Sequence, residues 1–228
     1  MQPIWKEIFK HQKEIIIAAL KSHKSIKAIN IDDILKFLFK SEETDYIRET
    51  ILPMLRKIMQ DKGNEVMNEL ETSTSFNLHD PKVTEWLDEY CGKQIKDINS
   101  TTETLIREQL KQGQGEGESI PKLCDRVGQY FDDMEGARVK TIARTEVIGA
   151  SNNATLMGYK QSGVVDKKEW LTAIDGRERE WHATADGQTV EVDEKFIVGG
   201  EELECPGGMG GSAENVCNCR CTIIPNFD

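Results

Sequence analysis

Glycine is distributed unevenly along this chain of 228 residues, and that distribution constrains the fold more than any other feature of the sequence. Only Gly63 and Gly92 precede residue 113, whereas sixteen of the eighteen glycines lie from Gly113 onward. Glycine suits tight turns and weakens helix interiors, so long helices need segments that are poor in it. The first 112 residues are therefore predicted to be helical, and the remainder to contain shorter elements joined by turns.

The N-terminal segment contains a basic amphipathic helix. Apolar side chains recur at helical spacing from Ile4 to Leu20, and lysines occupy the other faces. Two more long helices are predicted, one from about Asp45 toward Leu70 and one that begins at Asp80. The apolar stripe of the first helix is interpreted in two ways: it contacts a partner protein, or it packs inside a helical bundle.

Charge and hydropathy exclude several classes of protein. The formal net charge is −11; residues 1–40 carry +4 and the remaining residues carry −15. An acidic surface repels DNA phosphates, so any DNA contact is expected to be weak and confined to residues 1–40. The longest purely apolar run, residues 15–20, has six residues, far fewer than the roughly 20 that span a bilayer. No membrane span and no export signal are expected, and the cysteines are expected to be reduced in a cytoplasm.

The second half of the chain shows a different pattern. Residues 112–118, rich in Gly, are predicted to be a flexible linker. Two helices follow, separated at Gly136, and strands are predicted at residues 168–174, 187–192 and 217–224. The expected fold class is α+β: a long helical N-terminal region (residues 1–112), followed by a compact C-terminal domain (residues 113–228) with helices packed on a small, mostly antiparallel sheet.

Three clusters of polar and sulfur-bearing residues stand in the C-terminal part. Residues 143–146 read Ala-Arg-Thr-Glu on a helix; Trp170 is followed after four residues by Asp175-Gly-Arg177; and Pro206-Gly207 precedes Asn218-Cys-Arg-Cys221. The order and spacing of these motifs over about residues 100–224 resemble the Mu F-like minor head proteins of tailed bacteriophages. One departure concerns Arg179 to His182, because some relatives carry Cys-x-x-Cys there and this chain retains one ligand-type side chain, His182.

The resemblance implies a structural, binding role in head assembly, DNA packaging or DNA delivery. It implies a portal, capsid or scaffold protein as the partner, and a place in the virion at the portal vertex or capsid interior, with the host cytoplasm as the site of assembly. Residues 1–112 are the expected region of portal or capsid association. No catalytic residues are assigned, and the protein is not expected to be an enzyme.

A zinc site is one interpretation of the cysteine cluster. A neutral imidazole and thiolates suit tetrahedral zinc, and His182, Cys205, Cys219 and Cys221 would supply four ligands, with Cys217 as an alternative to Cys205. Two other interpretations stay open. Buried cysteines on the inner face of a strand act as small apolar side chains, or a disulfide forms after particle release.

A polar network is predicted between the Arg-Thr-Glu helix and the strands. Arg144 and Glu146 lie two residues apart and diverge on a helix, so each needs a distant partner. The members of the expected network are Arg144, Glu146, Asn152, Asp175, Arg177 and Arg179. The alternative is that Arg177, Arg179 and Arg220 bind phosphate.

Two other function classes compete with the head protein. Domains of this kind also occur in portal fusions and in phage-derived toxins, so the chain is alternatively a module of such a protein. A zinc-dependent hydrolase or nuclease built on His182 is the enzymatic alternative.

Overall fold

The computed structural model describes residues 1–26, 29–36 and 40–227. Long helices form the N-terminal half: α1 (Gln2–Lys21), α2 (Ile31–Lys36), α3 (Ser41–Glu69), α4 (Pro81–Gly115) and α5 (Ile120–Ser162). Short elements follow: β1 (Lys167–Leu171), α6 (Glu180–Ala185), β2 (Thr189–Glu191), β3 (Phe196–Val198), β4 (Glu201–Leu203), α7 (Ala213–Val216) and β5 (Thr222–Asn226). The concentration of glycine after residue 112 thus coincides with the change from long helices to short elements.

The strands form two small antiparallel sheets. One has the order β2-β1-β5, and Trp170 of β1 lies opposite Ile223 of β5. Pro225 of β5, an edge strand, lies opposite Lys168. The other sheet is the β3-β4 hairpin, in which Phe196 pairs with Leu203. The predicted α+β class and the mostly antiparallel sheet are confirmed.

The chain divides into two compact units. The first comprises Met1–Leu52 and Glu89–Lys140, and the second comprises Pro53–Asp88 and Thr141–Asp228. The predicted domain boundary between residues 112 and 113 falls inside the first unit. The three longest helices, α3, α4 and α5, therefore each supply residues to both units.

The first unit is a helical bundle around the apolar stripe of α1. Trp5, Phe9, Ile16 and Leu20 are buried in it. A buried polar contact lies on the same helix, where the Gln12 side-chain amide donates to Asn99 Oδ1 at 3.1 Å. Of the two interpretations of the stripe, internal packing is the one that the structure supports.

The second unit has a core that joins helix, strands and hairpin. Trp170, Phe196 and Ile223 are buried in it together with Leu156 of α5 and Val66 of α3. Close approach is helped by small residues: a Cβ on Gly63 would lie 2.2 Å from the Phe76 ring, and one on Gly158 would lie 2.9 Å from Val66. Residues 53–88 are therefore an integral part of the unit that contains the C-terminal strands.

Two predicted boundaries are wrong. Helix α5 runs through Gly136 without a break, because one glycine weakens a helix by only about 1 kcal/mol and packing outweighs that loss. The predicted linker is helical to Gly115, and Arg126 pairs with Glu116 and Glu118, each at 2.7 Å. Two acidic side chains of the predicted linker are thus held against α5.

The strand predicted at residues 217–224 begins five residues later, at Thr222. Asn218 has a left-handed backbone with φ of 56°, which interrupts the extended conformation. Its N–H donates to Thr145 Oγ1 at 3.1 Å, and its amide donates to Thr141 Oγ1 at 3.2 Å. Asparagine tolerates this conformation better than most residues, so the turn fixes the entry to β5 against α5. Among the residues that the structure describes, no helix has both the length and the apolar character needed to cross a membrane.

Candidate functional site

His182 lies at the centre of the candidate site, on α6 in the second unit, with 2% of its surface exposed. Its ring stands edge-on to the Trp170 indole, with the ring centroids 5.6 Å apart. The Thr172 hydroxyl donates to the His182 carbonyl at 2.7 Å and accepts from Trp170 Nε1 at 3.1 Å. The backbone that carries the imidazole is therefore fixed to the end of β1.

Two thiols face the same imidazole. The Nδ1 atom of His182 lies 3.3 Å from Cys221 Sγ and 3.8 Å from Cys219 Sγ. The two cysteines also contact each other, because the Cys221 N–H donates to Cys219 Sγ at 3.4 Å. The three potential ligand atoms all lie within 4.8 Å of one another, and all three residues are buried.

Asn215 of α7 determines which imidazole nitrogen carries a proton and which one presents a lone pair to the thiols. Its amide nitrogen donates to the Val198 carbonyl at 2.9 Å and to Glu201 Oε2 at 3.1 Å, so its oxygen points the other way. That oxygen lies 2.7 Å from His182 Nε2 and can only accept, which places a proton on Nε2. In the neutral ring, Nδ1 then presents its lone pair to Cys219 and Cys221.

The thiols of this cluster differ in acidity. The hydrogen-bonding contact with Cys219 lowers the pKa of Cys221 against the effect of burial. The same contact with Cys221, together with burial, raises the pKa of Cys219. The pair of Cys219 and Cys221 thus loses one proton more readily than an isolated thiol does. The resulting thiolate is the form of cysteine that binds metals.

Cys205 and Cys217 lie outside this group of three. Cys205 is fully buried in the hydrophobic core of the second unit, where burial raises the pKa of its thiol to about 12. Cys217 is half-buried, and its carbonyl accepts from Arg179 Nη2 at 2.6 Å. The structure therefore brings together three of the four predicted ligands, His182, Cys219 and Cys221.

The residues of the predicted polar network do not join into one network in the part of the chain that the structure describes. Arg144 is exposed, whereas Glu146 is buried and neither of its carboxylate oxygens has a hydrogen-bond partner among the described residues. Asp175 instead pairs with Arg177 at 2.6 Å and with Arg220 at 2.7 Å. Arg177 and Arg220 thus pair with Asp175 and not with Glu146.

Asn152 connects α5 to the C-terminal segment. Its amide nitrogen donates to the Pro206 and Cys221 carbonyls, each at 3.0 Å, and its oxygen accepts from Thr222 Oγ1 at 2.9 Å. Close backbone packing accompanies these bonds, because a Cβ on Gly207, whose φ is 75°, would lie 3.2 Å from Gly149 Cα. The predicted docking of this helix on the strands is therefore made by Asn152 alone among the network residues.

Sequence reasoning missed Asn215 and Thr172. Neither stands in a motif that suggests chemistry, and Asn215 is 33 positions from His182 along the chain. Only the folded structure shows that an amide oxygen completes the environment of the imidazole.

Comparisons with known proteins identify the family. The family model described as phage Mu protein F like protein matches residues 101–224, which include every residue of the cluster. Minor head protein GP7 of Bacillus phage SPP1 is 34% identical over 126 residues, 52% of this chain and 39% of its own length. No solved structure matches the chain.

Two further relatives match different shares of the chain. The Bacillus subtilis protein YqbB is 23% identical over 211 residues, 91% of this chain and 69% of its own length. NAD(+)-arginine ADP-ribosyltransferase EFV of Enterococcus faecalis is 41% identical over 116 residues, 50% of this chain but only 23% of its own length. The chain thus spans well under half of the length of GP7 and of the transferase. Because the family model covers more than half of its residues, the chain belongs to the phage Mu protein F like family.

Proposed function

We propose that this protein is a phage minor head protein that acts by binding other head components, at the portal vertex or in the capsid interior. The observation that carries the proposal is the family match over residues 101–224, together with the similarity to a protein named as a minor head protein. Head assembly, DNA packaging and DNA delivery are the steps in which such binding would act.

The contacts of the motif residues support a binding role. Asn152 donates to two backbone carbonyls, and Arg179 donates to one. Arg220 donates to a carboxylate. All of these acceptors belong to the same unit. These bonds are made within the second unit and serve internal docking. A rigid C-terminal unit of this kind suits a protein that presents a surface to others.

The proposed surface for portal, capsid or scaffold proteins is the exposed face of α1 and the segment after it. The apolar stripe of α1 is buried, so a partner would meet the polar face, where Lys10 and Lys24 are exposed. Acidic side chains on the partner would complement these lysines. Within residues 1–112, the proposed binding surface is therefore this polar face. Point substitutions there can change the surface without disturbing the core.

Co-expression tests this proposal. The chain is expressed with the portal, scaffold and major capsid proteins of the same phage genome, and complexes are measured by native mass spectrometry. A complex is expected with at least one of these proteins and is expected to weaken in the double variant Lys10→Glu/Lys24→Glu. The variant Lys57→Glu, an exposed lysine of α3 outside the proposed surface, is the control. Absence of the chain from purified particles, measured by peptide mass spectrometry, would refute the proposed place in the virion.

A second candidate is a module joined to another activity, as in a portal fusion or a phage-derived toxin. The match to the Enterococcus transferase favours it, because half of this chain is similar to less than a quarter of that protein. Most of the transferase lies outside the match, so its named activity need not reside in the shared residues. We expect no transferase activity with NAD(+) and arginine, and no nuclease activity that depends on zinc and is lost in His182→Ala. Either activity would favour the enzymatic alternatives.

A further inference from the structure

We propose that His182, Cys219 and Cys221 bind one zinc ion and that Asn215 orients the imidazole for it. The proposal is independent of the role in the phage head. It rests on the three ligand atoms that the second unit brings together and on the hydrogen bonds around them.

The distances between the ligand atoms suit a tetrahedral ion. Zinc bonds to sulfur at about 2.3 Å and to nitrogen at about 2.0 Å, so two such ligands at a tetrahedral angle lie about 3.6 Å apart. The distances from His182 Nδ1 to the two sulfurs are 3.3 Å and 3.8 Å, on either side of that value. An ion can therefore occupy the space between these atoms with only small shifts of the side chains.

The hydrogen bond of Asn215 provides the orientation that a histidine ligand needs. A ligating imidazole commonly donates its other N–H to an oxygen, which fixes the tautomer and the plane of the ring. Here Nε2 donates to Asn215 Oδ1 at 2.7 Å, and Asn215 is itself fixed by its bonds to Val198 and Glu201. The lone pair of Nδ1 is thus aimed at the two sulfurs before any metal binds.

The chemistry of the donors selects the ion. Two thiolates and one imidazole form a borderline-soft set that favours zinc over magnesium or calcium, which prefer oxygen ligands. The three ligand residues are all buried, so the ion would be shielded from bulk solvent. A solvent molecule would complete the four ligands, since neither Cys205 nor Cys217 joins the group.

Metal analysis of the full-length protein tests the proposal first. Protein purified under reducing conditions with zinc present is expected to contain about one zinc per chain. Removal of the metal with a chelator is expected to lower Tm by about 10 °C, because the ion binds the folded state alone. Cobalt substituted for zinc is expected to show the absorption of thiolate-bound Co²⁺. These measurements use the unaltered chain and do not depend on the folding of any variant.

Variants then identify the ligands. Cys219→Ala, Cys221→Ala and His182→Ala should each abolish stoichiometric zinc, whereas Cys205→Ala, a matched control in the same core, should keep it. Asn215→Ala should weaken zinc binding about 10- to 100-fold while the ligands remain. A chain that contains no zinc and melts identically with and without chelator overturns the proposal and leaves simple packing. Zinc that persists in the double variant Cys219→Ala/Cys221→Ala, or a Cys219–Cys221 disulfide in the reduced preparation, overturns it equally.

Discussion

Glu146 lies in an environment that is unusual for a carboxylate. Its oxygens are buried on α5 and have no hydrogen-bond partner among the described residues, and burial raises the pKa of the carboxyl to about 8. Ionisation inside the protein is unfavourable, because no charge or donor replaces the lost water. At neutral pH the folded protein therefore holds a proton on Glu146 that the unfolded chain releases.

This difference makes stability depend on pH. Below the ordinary pKa of about 4.5, Glu146 is protonated in both states and has no effect. As pH rises from there to about 8, the free energy of unfolding falls by about 1.4 kcal/mol per pH unit, roughly 5 kcal/mol in all, and then levels off. We expect Glu146→Gln to be more stable than the natural protein by about 3–5 kcal/mol at pH 8 and by at most about 1 kcal/mol at pH 5.

Urea unfolding at pH 5 and pH 8 measures the effect of Glu146→Gln. Asp133→Asn, an exposed acidic residue of the same helix, is the control and should show no such change between the two pH values. An equal difference for Glu146→Gln at both pH values would show that the carboxyl is charged in the folded protein.

Residues of the candidate site could be predicted from the sequence where only a few residue types can perform the chemistry. Histidine and cysteine are few in the chain, so a cluster of His182, Cys219 and Cys221 could be proposed from the sequence. Asparagine and threonine have many roles, so Asn215 and Thr172 carried no signal. Cys205 was predicted as a fourth ligand, but its position after the hairpin β3-β4 leaves it outside the group of three.

At the scale of elements, the turn at Gly207 packs closely against α5. Gly207 has φ of 75°, and a Cβ there would meet the backbone of Gly149 at 3.2 Å. Gly163, which follows the end of α5, has a similar φ of 65° but open space around it. Substitutions at Gly163 and Gly207 therefore separate the free-energy cost of backbone strain from the cost of close packing.

We expect Gly163→Ala to lower the free energy of unfolding by about 1 kcal/mol, the strain of an L-residue in this conformation. Gly207→Ala should lower it by at least about 1 kcal/mol more, because the turn must also move away from α5. Urea midpoints of the two variants measure the difference. Equal losses would mean that the turn adapts freely to a methyl group.

Element boundaries were predictable where capping residues mark them. The N–H of Lys82 donates to Asp80 Oδ1 at 2.8 Å, as expected for a cap at the start of α4. Gly163 follows the last residue of α5 in the left-handed conformation that is common for glycine at a helix C-terminus. Gly136 was misread because its effect depends on packing contacts from other parts of the chain. The strand predicted from alternating cysteines was misread because the left-handed turn at Asn218 has no unique sequence signal.

At the scale of the whole molecule, the predicted division at residue 112 and the two compact units lead to opposite expectations for fragments. Leu110 of α4 and Leu123 of α5 are buried in the first unit on either side of that division. Val66 and Phe76 belong to the second unit, and a fragment of residues 113–228 lacks both.

We expect fragments 1–112 and 113–228 to co-purify when they are expressed together, because each unit then has all of its parts. Residues 113–228 alone should be insoluble or should melt well below the full chain. Size-exclusion chromatography and thermal melts measure both results. If the fragment alone melts at the temperature of the full chain, the division at residue 112 describes the folding units.

DNA binding is a second property of the whole molecule. Some lysines of residues 1–40 are engaged in ion pairs, since Lys13 pairs with Asp132 at 2.6 Å and Lys36 with Asp33 at 3.0 Å. We expect weak binding to duplex DNA that disappears between about 50 and 200 mM salt. Fluorescence anisotropy measures it, and Lys10→Glu/Lys24→Glu should remove it whereas Lys140→Glu should have a smaller effect. If the double variant still binds DNA tightly, the contact is made instead by Arg177, Arg179 and Arg220.

Pro225 limits how this protein can associate with copies of itself. It lies in β5 at the edge of the three-stranded sheet, and proline has no N–H to offer to a further strand. A sheet edge that lacks a donor is a poor template for strand addition. Addition of a strand from another copy at the β5 edge of this sheet is therefore disfavoured.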